Sequence, residues 1–131
     1  MSKAFKRGSE WRKWDLHIHT PFTKLNDGFE QIEGEDIWKT YCDKIEESDV
    51  LAFGITDYFS CDNYFTFLEE FNKYHPDSNK VFFPNIEFRL DVAVNKRQEE
   101  VNIHVIFSNE VGKLQIEEFL TTLKTNHTKA G

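Results

Sequence analysis

The stretch VLAFGITD, Val50–Asp57, decides the fold class of this chain. It is a continuous apolar run with the length of a β-strand, and it closes on an aspartate. Runs of this kind are typical of strands that are buried on both faces, as in a parallel sheet covered by helices. The stretch therefore predicts an α/β fold, with Asp57 at the carboxyl end of a central strand.

Helical patterns lie on both sides of this strand. A first helix is predicted from about Glu35 to Glu46, because apolar side chains recur there at helical spacing. A second helix is predicted after Asp62, a plausible N-cap, and it should stop before His75-Pro76.

Further strands are predicted at Trp14–His19 and Val81–Phe88, where Pro84 demands a sheet edge, a bulge or a break. Two more extended pieces, Leu90–Val94 and Val101–Phe107, should be joined by a polar turn. Asn109 is a candidate cap for a last helix, whose predicted apolar face comprises Val111, Leu114, Phe119, Leu120 and Leu123. The alternation of strands and helices implies mostly parallel pairing with right-handed crossovers.

Composition bounds the function. The 131 residues suffice for one domain, and a net charge of −7 argues against a protein that holds nucleic acid by general electrostatic attraction. Residues 1–13 form a basic arm that is either solvated or phosphate-binding, residues 14–124 the domain, and residues 125–131 a tail. The basic residues of the arm are Lys3, Lys6, Arg7, Arg12 and Lys13.

The remaining compositional signals concern the compartment. Cys42 and Cys61 lack metal-type spacing, so free thiols in a reducing compartment are expected. No apolar run is long enough to span a bilayer, and the N-terminus lacks a signal peptide's apolar core. A cytoplasmic location without membrane contact is therefore predicted.

His17 and His19 lie two residues apart on a predicted strand and should project from one face. Such rings either sit in solvent, pack as amphipathic bulk, or converge on a metal. Asp57, Glu87 and His104 lie at or near the ends of other predicted strands, so all five could share one pocket. Taken singly, the last three could instead be a turn residue, a surface acid and a half-buried strand histidine.

A mixed set of imidazoles and carboxylates suits Zn²⁺, Mn²⁺ or Fe²⁺ better than Ca²⁺ or Mg²⁺. A carboxylate can bridge two ions, and paired ions can activate water against a phosphate ester. Asp57 and Glu87 are accordingly the candidate catalytic residues as well as metal ligands.

Four blocks together resemble the successive metal motifs of the PHP (polymerase and histidinol phosphatase) domain: HIH at 17–19, GITD at 54–57, PNIE at 84–87 and NIHVIF at 102–107. The resemblance covers roughly residues 8 to 123. It implies a distorted (β/α)7 barrel with a two- or three-metal site that hydrolyses phosphate esters, including nucleic-acid phosphodiesters. WRKWDLHIHTP followed by GITDYFS is most similar to the PHP region that opens TrlF-like chains, in which an ATPase domain follows.

Two departures from the family shape the expectation. Tyr58 stands where many members have a histidine for a third metal, so two ions are expected. The family's later motifs, a further His or Cys and an Asp-x-His, have no counterpart before Gly131. The chain is therefore expected to be the N-terminal portion of a PHP barrel from a longer PHP–ATPase protein, with an unclosed sheet able to self-associate.

Two functions follow from the resemblance. The first is a metal-dependent phosphoesterase module, a nuclease in some members, whose substrates would be phosphate esters, nucleotides or nucleic acid. The alternative is a non-catalytic partial PHP module that binds a metal or a partner.

Overall fold

The computed structural model describes residues 10–23, 36–93 and 100–123. In chain order the elements are β1 (Lys13–His19), α1 (Ile37–Glu47), β2 (Val50–Tyr58), α2 (Asp62–Tyr74), β3 (Val81–Ala93), β4 (Glu100–Ile106) and α3 (Lys113–Thr121). The strands form one sheet in the order β1-β2-β3-β4, with β1, β2 and β3 parallel and β4 antiparallel to β3. The predicted α/β class with mostly parallel pairing is confirmed.

Several predictions lie outside the described residues. They are the arm before Glu10 with Lys3, Lys6 and Arg7, most of the loop after β1, the turn between β3 and β4, and the tail from residue 124. Of the basic arm, Arg12 forms an ion pair with Glu10, and Lys13 forms one with Asp49. These four side chains are exposed, so the pairs contribute little to stability.

One face of the sheet carries the helices. Phe53 and Ile55 of β2 and Phe82 of β3 pack with apolar side chains of α1 and α2 in one buried cluster. Further along β3, Ile86 and Phe88 pack with Ile116 of α3 in a second cluster. Aromatic rings supply much of both clusters.

The opposite face of the sheet carries the polar side chains. Because side chains alternate along a strand, Asn85 and Glu87 of β3 face away from Phe82, Ile86 and Phe88. On β1, Ile18 packs against the first cluster, so its neighbours His17 and His19 also point to the opposite face. The fold thereby separates an apolar, helix-covered face from a face that carries His17, His19, Asn85 and Glu87.

β3 differs from its prediction. It is one strand of 13 residues, so the predicted separation of Val81–Phe88 from Leu90–Val94 is wrong as far as Ala93. Pro84 causes no shift in the register with β2. Its carbonyl accepts the backbone N–H of Phe107, one residue beyond the last β3–β4 pair. The missing N–H therefore falls just beyond the end of the antiparallel ladder, although β3 itself lies between β2 and β4 and is not an edge strand.

Two predicted helix caps are wrong. Asp62 is the first residue of α2 and Cys61 is the N-cap, so the Asp62 carboxylate lies in the first turn, where the helix dipole favours it. Gly112, not Asn109, is the N-cap of α3, and its N–H donates to Gln115 Oε1 at 3.0 Å. The apolar face predicted for α3 is also partly wrong, because Leu114 is exposed and Ile116 is the fully buried residue.

Both cysteines match the expectation from their spacing. Cys42 and Cys61 are buried and free, as expected. Among the described residues, no helix combines the length and the apolar character needed to cross a lipid bilayer.

Candidate metal centre

Three strands deliver the side chains of the candidate site. His17 and His19 come from β1, Glu87 from β3 and His104 from β4. The Nε2 atoms of His17 and His19 are 3.2 Å apart, and they lie 3.5 and 3.7 Å from Glu87 Oε2. Ligand atoms of His17, Glu87 and His104 all lie within 4.8 Å of one another. Four of the five predicted residues therefore converge on one point.

Glu87 is the centre of this group and is only 4% exposed. Its Oε1 accepts the side-chain amide of Asn102 at 2.8 Å. Its Oε2 is buried and has no hydrogen-bond partner among the described residues. A buried carboxylate oxygen without a donor is costly, by about 1–3 kcal/mol or more for a charged group. The site therefore has an unmet requirement for positive charge at that oxygen.

The distances suit a divalent ion. An ion about 2.1 Å from each of its tetrahedral ligands places those ligands about 3.4 Å apart, and right-angled ligands about 3.0 Å apart. The three distances among His17, His19 and Glu87 run from 3.2 to 3.7 Å. One ion could therefore contact all three without large movement, and two imidazoles with one carboxylate form a donor set suited to Zn²⁺ or Mn²⁺.

The orientation of His19 is fixed by its other ring nitrogen. The Thr23 hydroxyl donates its single proton to Asp57 Oδ1 at 2.8 Å, so towards His19 Nδ1, at 3.4 Å, it can only accept. Nδ1 therefore carries the proton, and Nε2 presents its lone pair towards Glu87. Burial lowers the pKa of His19 and the neighbouring His17 lowers it further, while Glu87 and Asp57 oppose the shift. Both effects favour the neutral ring that a metal requires.

Asp57 is close by but is engaged otherwise. It is 2% exposed, and Oδ1 accepts from the Thr23 hydroxyl and from the Tyr58 backbone N–H, both at 2.8 Å. Its Oδ2 accepts the Asn63 amide at 2.5 Å. In this arrangement Asp57 contacts His19 through the Thr23 hydroxyl, so its contacts orient a candidate ligand.

His104 reaches the site by a route that the sequence did not indicate. The prediction placed it at the carboxyl end of a parallel strand, but β4 is antiparallel and His104 lies within it. It is the register partner of Glu87, so the two side chains are cross-strand neighbours on one face. The His104 ring lies 4.4 Å from the His17 ring, centroid to centroid.

Tyr58, which directly follows Asp57 on β2, covers one side of the site. Its ring stacks on the His19 ring with centroids 5.2 Å apart and an interplanar angle of 20°. The phenol therefore restricts the rotation of His19. The contact shows a packing role for the residue.

A second group of potential ligands, Cys61, Asp62 and Glu117, also lies within 4.8 Å. Here Lys113 already supplies positive charge, with its Nζ 2.9 Å from Asp62 and 3.9 Å from Glu117. Burial also raises the pKa of the Cys61 thiol, which disfavours the thiolate that binds metals. These residues form an ion-pair network on the helix side of the sheet.

Four residues that hydrogen-bond to the candidate site residues were not predicted from the sequence. They are Thr23, Asn63, Asn85 and Asn102. A signal existed for two of them, because Asn85 lies two residues from Glu87, and Asn102 two residues from His104, on the same strand faces. Thr23 and Asn63 had none, because they lie in a turn and on a helix.

Comparison with known proteins returned no match: no family model, no curated protein and no solved structure matches this chain. The PHP resemblance therefore stays a prediction that depends on four short motifs.

Proposed function

We propose that this chain is a divalent-metal module of the PHP type that hydrolyses phosphate esters. The observation that carries the proposal is the buried Glu87 Oε2, unpartnered among the described residues, with two imidazole Nε2 atoms within 3.7 Å. Three neutral or anionic donors at ligand spacing around one point are what a bound cation requires. Three of the four motif blocks, HIH, PNIE and NIHVIF, contain the residues that converge.

The roles proposed for Glu87 and His17 follow from the solvent exposure of their side chains. Glu87 is buried and would supply the negative charge, whereas the His17 side chain is 52% exposed and borders the open side of the site. A bound divalent ion would polarise a phosphate oxygen and lower the pKa of a coordinated water. The chain's own residues would hold and orient that ion, and the open side by His17 would admit the ester.

The arrangement supports one ion most directly. His17, His19 and Glu87 are spaced for a single ion, with His104 adjacent. The two expected ions would require Asp57 to exchange one of its three hydrogen bonds for a metal bond, or further ligands. Glu87 could then bridge if Oε1 exchanged its hydrogen bond from Asn102 for a metal bond.

The substrate class is a phosphate ester, and the charge of −7 favours a small phosphorylated molecule over duplex nucleic acid. Nucleic acid would have to be delivered by other means, such as the ATPase domain that follows in TrlF-like chains. The nucleic-acid substrate and the ATPase domain are both proposals that depend on the family resemblance.

A non-catalytic module is the second candidate. The 3.2 Å separation of the His17 and His19 Nε2 atoms also fits an N–H···N hydrogen bond. A protonated ring could neutralise Glu87 without a metal. This reading predicts a structural imidazole–carboxylate cluster that binds neither ion nor ester.

Metal content and hydrolysis separate the two. Purified protein would be loaded with Mn²⁺ or Zn²⁺, dialysed, and assayed for bound metal and for cleavage of bis(p-nitrophenyl) phosphate and p-nitrophenyl phosphate. We expect about one tightly bound ion and metal-dependent cleavage, both lost in His17→Ala and retained in His75→Ala. Bound metal without cleavage would refute the hydrolytic function and leave the metal centre, whereas no bound metal would refute the metal centre and favour the imidazole–carboxylate cluster.

A further inference from the structure

Asn85 lies between two of the strands that supply the metal centre. It is 2% exposed, its Nδ2 donates to the Leu16 carbonyl at 2.7 Å, and its Oδ1 lies 3.1 Å from His104 Nδ1. We propose that Asn85 is a positioning residue, which fixes the tautomer of His104 and holds the backbone segment that carries His17.

The direction of the amide follows from chemistry. The Leu16 carbonyl can only accept a hydrogen bond, so the Asn85 nitrogen must face it. The Asn85 oxygen then faces His104 and can only accept, so His104 Nδ1 carries the proton. Nε2 of His104 is left with its lone pair, the form in which a histidine binds a metal. A single amide thus determines which nitrogen of His104 is the ligand.

The other end of Asn85 acts on a bulge in β1. The β1–β2 register shifts between Asp15 and Ile18, where two residues of β1, Leu16 and His17, oppose Gly54 of β2. The backbone of Leu16 lies so close to Gly54 that a Cβ there would be 2.1 Å from the Leu16 carbonyl oxygen. Bulges of this kind re-aim side chains beside functional sites. His17 directly follows the carbonyl that Asn85 holds, so its direction depends on that hydrogen bond.

Asn85 therefore couples the two sides of the site across β2. It is buried on β3, its donor reaches β1 and its acceptor reaches β4. An asparagine that only satisfied a buried carbonyl would have no effect on His104. The tautomer of His104 separates the two roles, and it can be measured without any metal.

The first measurement is a long-range ¹H–¹⁵N spectrum of the histidine rings in the metal-free 131-residue protein. The wild-type protein should show His104 protonated at Nδ1, and Asn85→Ala should show the tautomer mixture of an unconstrained ring. Asn85→Asp keeps an acceptor for His104 but loses the donor for Leu16. It should retain the Nδ1–H form while the His17 resonances shift. Asn72→Ala, at an exposed position of α2, is the matched control.

An unchanged His104 tautomer in Asn85→Ala would overturn the proposal. If that variant does not fold, loss of the Nδ1–H form in Asn85→Asp would overturn it equally.

The second measurement is the affinity for Zn²⁺, and its interpretation depends on the proposed function. Loss of a residue that orients a ligand typically weakens metal binding by about 10–100-fold, which is the loss expected for Asn85→Ala. Wild-type affinity in a folded Asn85→Ala would overturn the positioning role. If the wild-type protein binds no Zn²⁺ but the tautomer still depends on Asn85, the proposed function fails and the hold of Asn85 on His104 is supported.

Discussion

Glu87 and His104 are directly opposed across the antiparallel pair of β3 and β4, although 17 positions separate them in the chain. The pairing places an imidazole beside a buried carboxylate whose Oε2 has no donor among the described residues. On its other side the same carboxylate meets the two histidines of β1. The site thus depends on the register of the strands that supply it.

The two histidines of β1 should be equivalent in metal binding. His17→Ala and His19→Ala each remove an Nε2 atom beside Glu87. Loss of a residue that only orients a ligand weakens metal binding by up to about 100-fold, so loss of a ligand itself should weaken Zn²⁺ or Mn²⁺ binding by more than that. His75→Ala is the control, because His75 pairs with Asp43 at the end of α2. Titration calorimetry on the three variants measures these affinities. An affinity of His17→Ala or His19→Ala equal to that of His75→Ala would contradict the prediction.

Glu87→Gln should have opposite effects on the metal-free and metal-loaded protein. At pH 8 the lowered pKa of His19 keeps that ring neutral, so it cannot neutralise the buried Oε2. Removing the charge should then raise the unfolding free energy of the metal-free protein by about 1–3 kcal/mol. The stabilisation by added Mn²⁺ should disappear, because the neutral amide is a poor ligand.

Thermal unfolding of Glu87→Gln and wild type, with EDTA and with Mn²⁺, measures both effects. A variant that is less stable than the wild type in EDTA at pH 8 would show that Glu87 is already neutralised without a metal.

The sequence predicted the elements better than their boundaries. Val50–Asp57 identified β2 because a strand buried on both faces has few polar positions. The predicted start of α3 was wrong because it relied on Asn109, a common capping residue. Gly112 is the N-cap instead, and its N–H is bound by the Gln115 side chain. The continuity of β3 through Arg89 depends on pairing with β4, which no local pattern contains.

The sequence predicted which residues supply the candidate site better than it predicted their individual roles. His17, His19 and Glu87 could be selected because their residue types bind metals and strand periodicity places them on one face. The orienting role of Asp57 could not be separated from ligation, because it depends on Thr23 and Asn63, which approach from a turn and a helix. The route of His104 could not be predicted, because apolar runs do not reveal strand direction.

Gly54→Ala should destabilise the fold and the site together. The added Cβ would lie 2.1 Å from the Leu16 oxygen and 2.6 Å from its carbonyl carbon, and the backbone must move to relieve the overlap. Overpacking typically costs about 1–3 kcal/mol, and the backbone clash places this variant at about 2 kcal/mol or more.

Gly112→Ala is the matched control for Gly54→Ala. A Cβ at residue 112 meets only Gln115 Oε1 at 3.9 Å, so its cost should be about 1 kcal/mol or less, from the poorer N-cap. Urea unfolding compares the two variants, and equal stabilities would contradict the role given to the bulge.

Cys42 should be unreactive in the native protein. Burial raises the pKa of its thiol from 9.0 to about 12, so the reactive thiolate at pH 8 is reduced by about a thousandfold. Because the thiol is more basic in the folded than in the unfolded chain, its contribution to stability is full below pH 9 and is lost between pH 9 and 12.

Alkylation by iodoacetamide at pH 8, followed by mass spectrometry, tests the protection of Cys42. We expect labelling of this thiol only after denaturation, and rapid labelling of the native protein would contradict its burial.

Two threonines of the same turn should respond oppositely to replacement by valine. The Thr23 hydroxyl connects Asp57 to His19, so Thr23→Val leaves the His19 ring without its Nδ1 acceptor. Affinity for Zn²⁺ should fall by about 10–100-fold, as for other residues that orient a ligand. The Thr20 hydroxyl is buried without a partner among the described residues, so Thr20→Val removes an unsatisfied polar group. That variant should keep its Zn²⁺ affinity and unfold at an equal or higher temperature. Because the two substitutions make the same chemical change three residues apart, a fall in affinity of similar size in both would show that the hydroxyl of Thr23 has no special role in orienting His19.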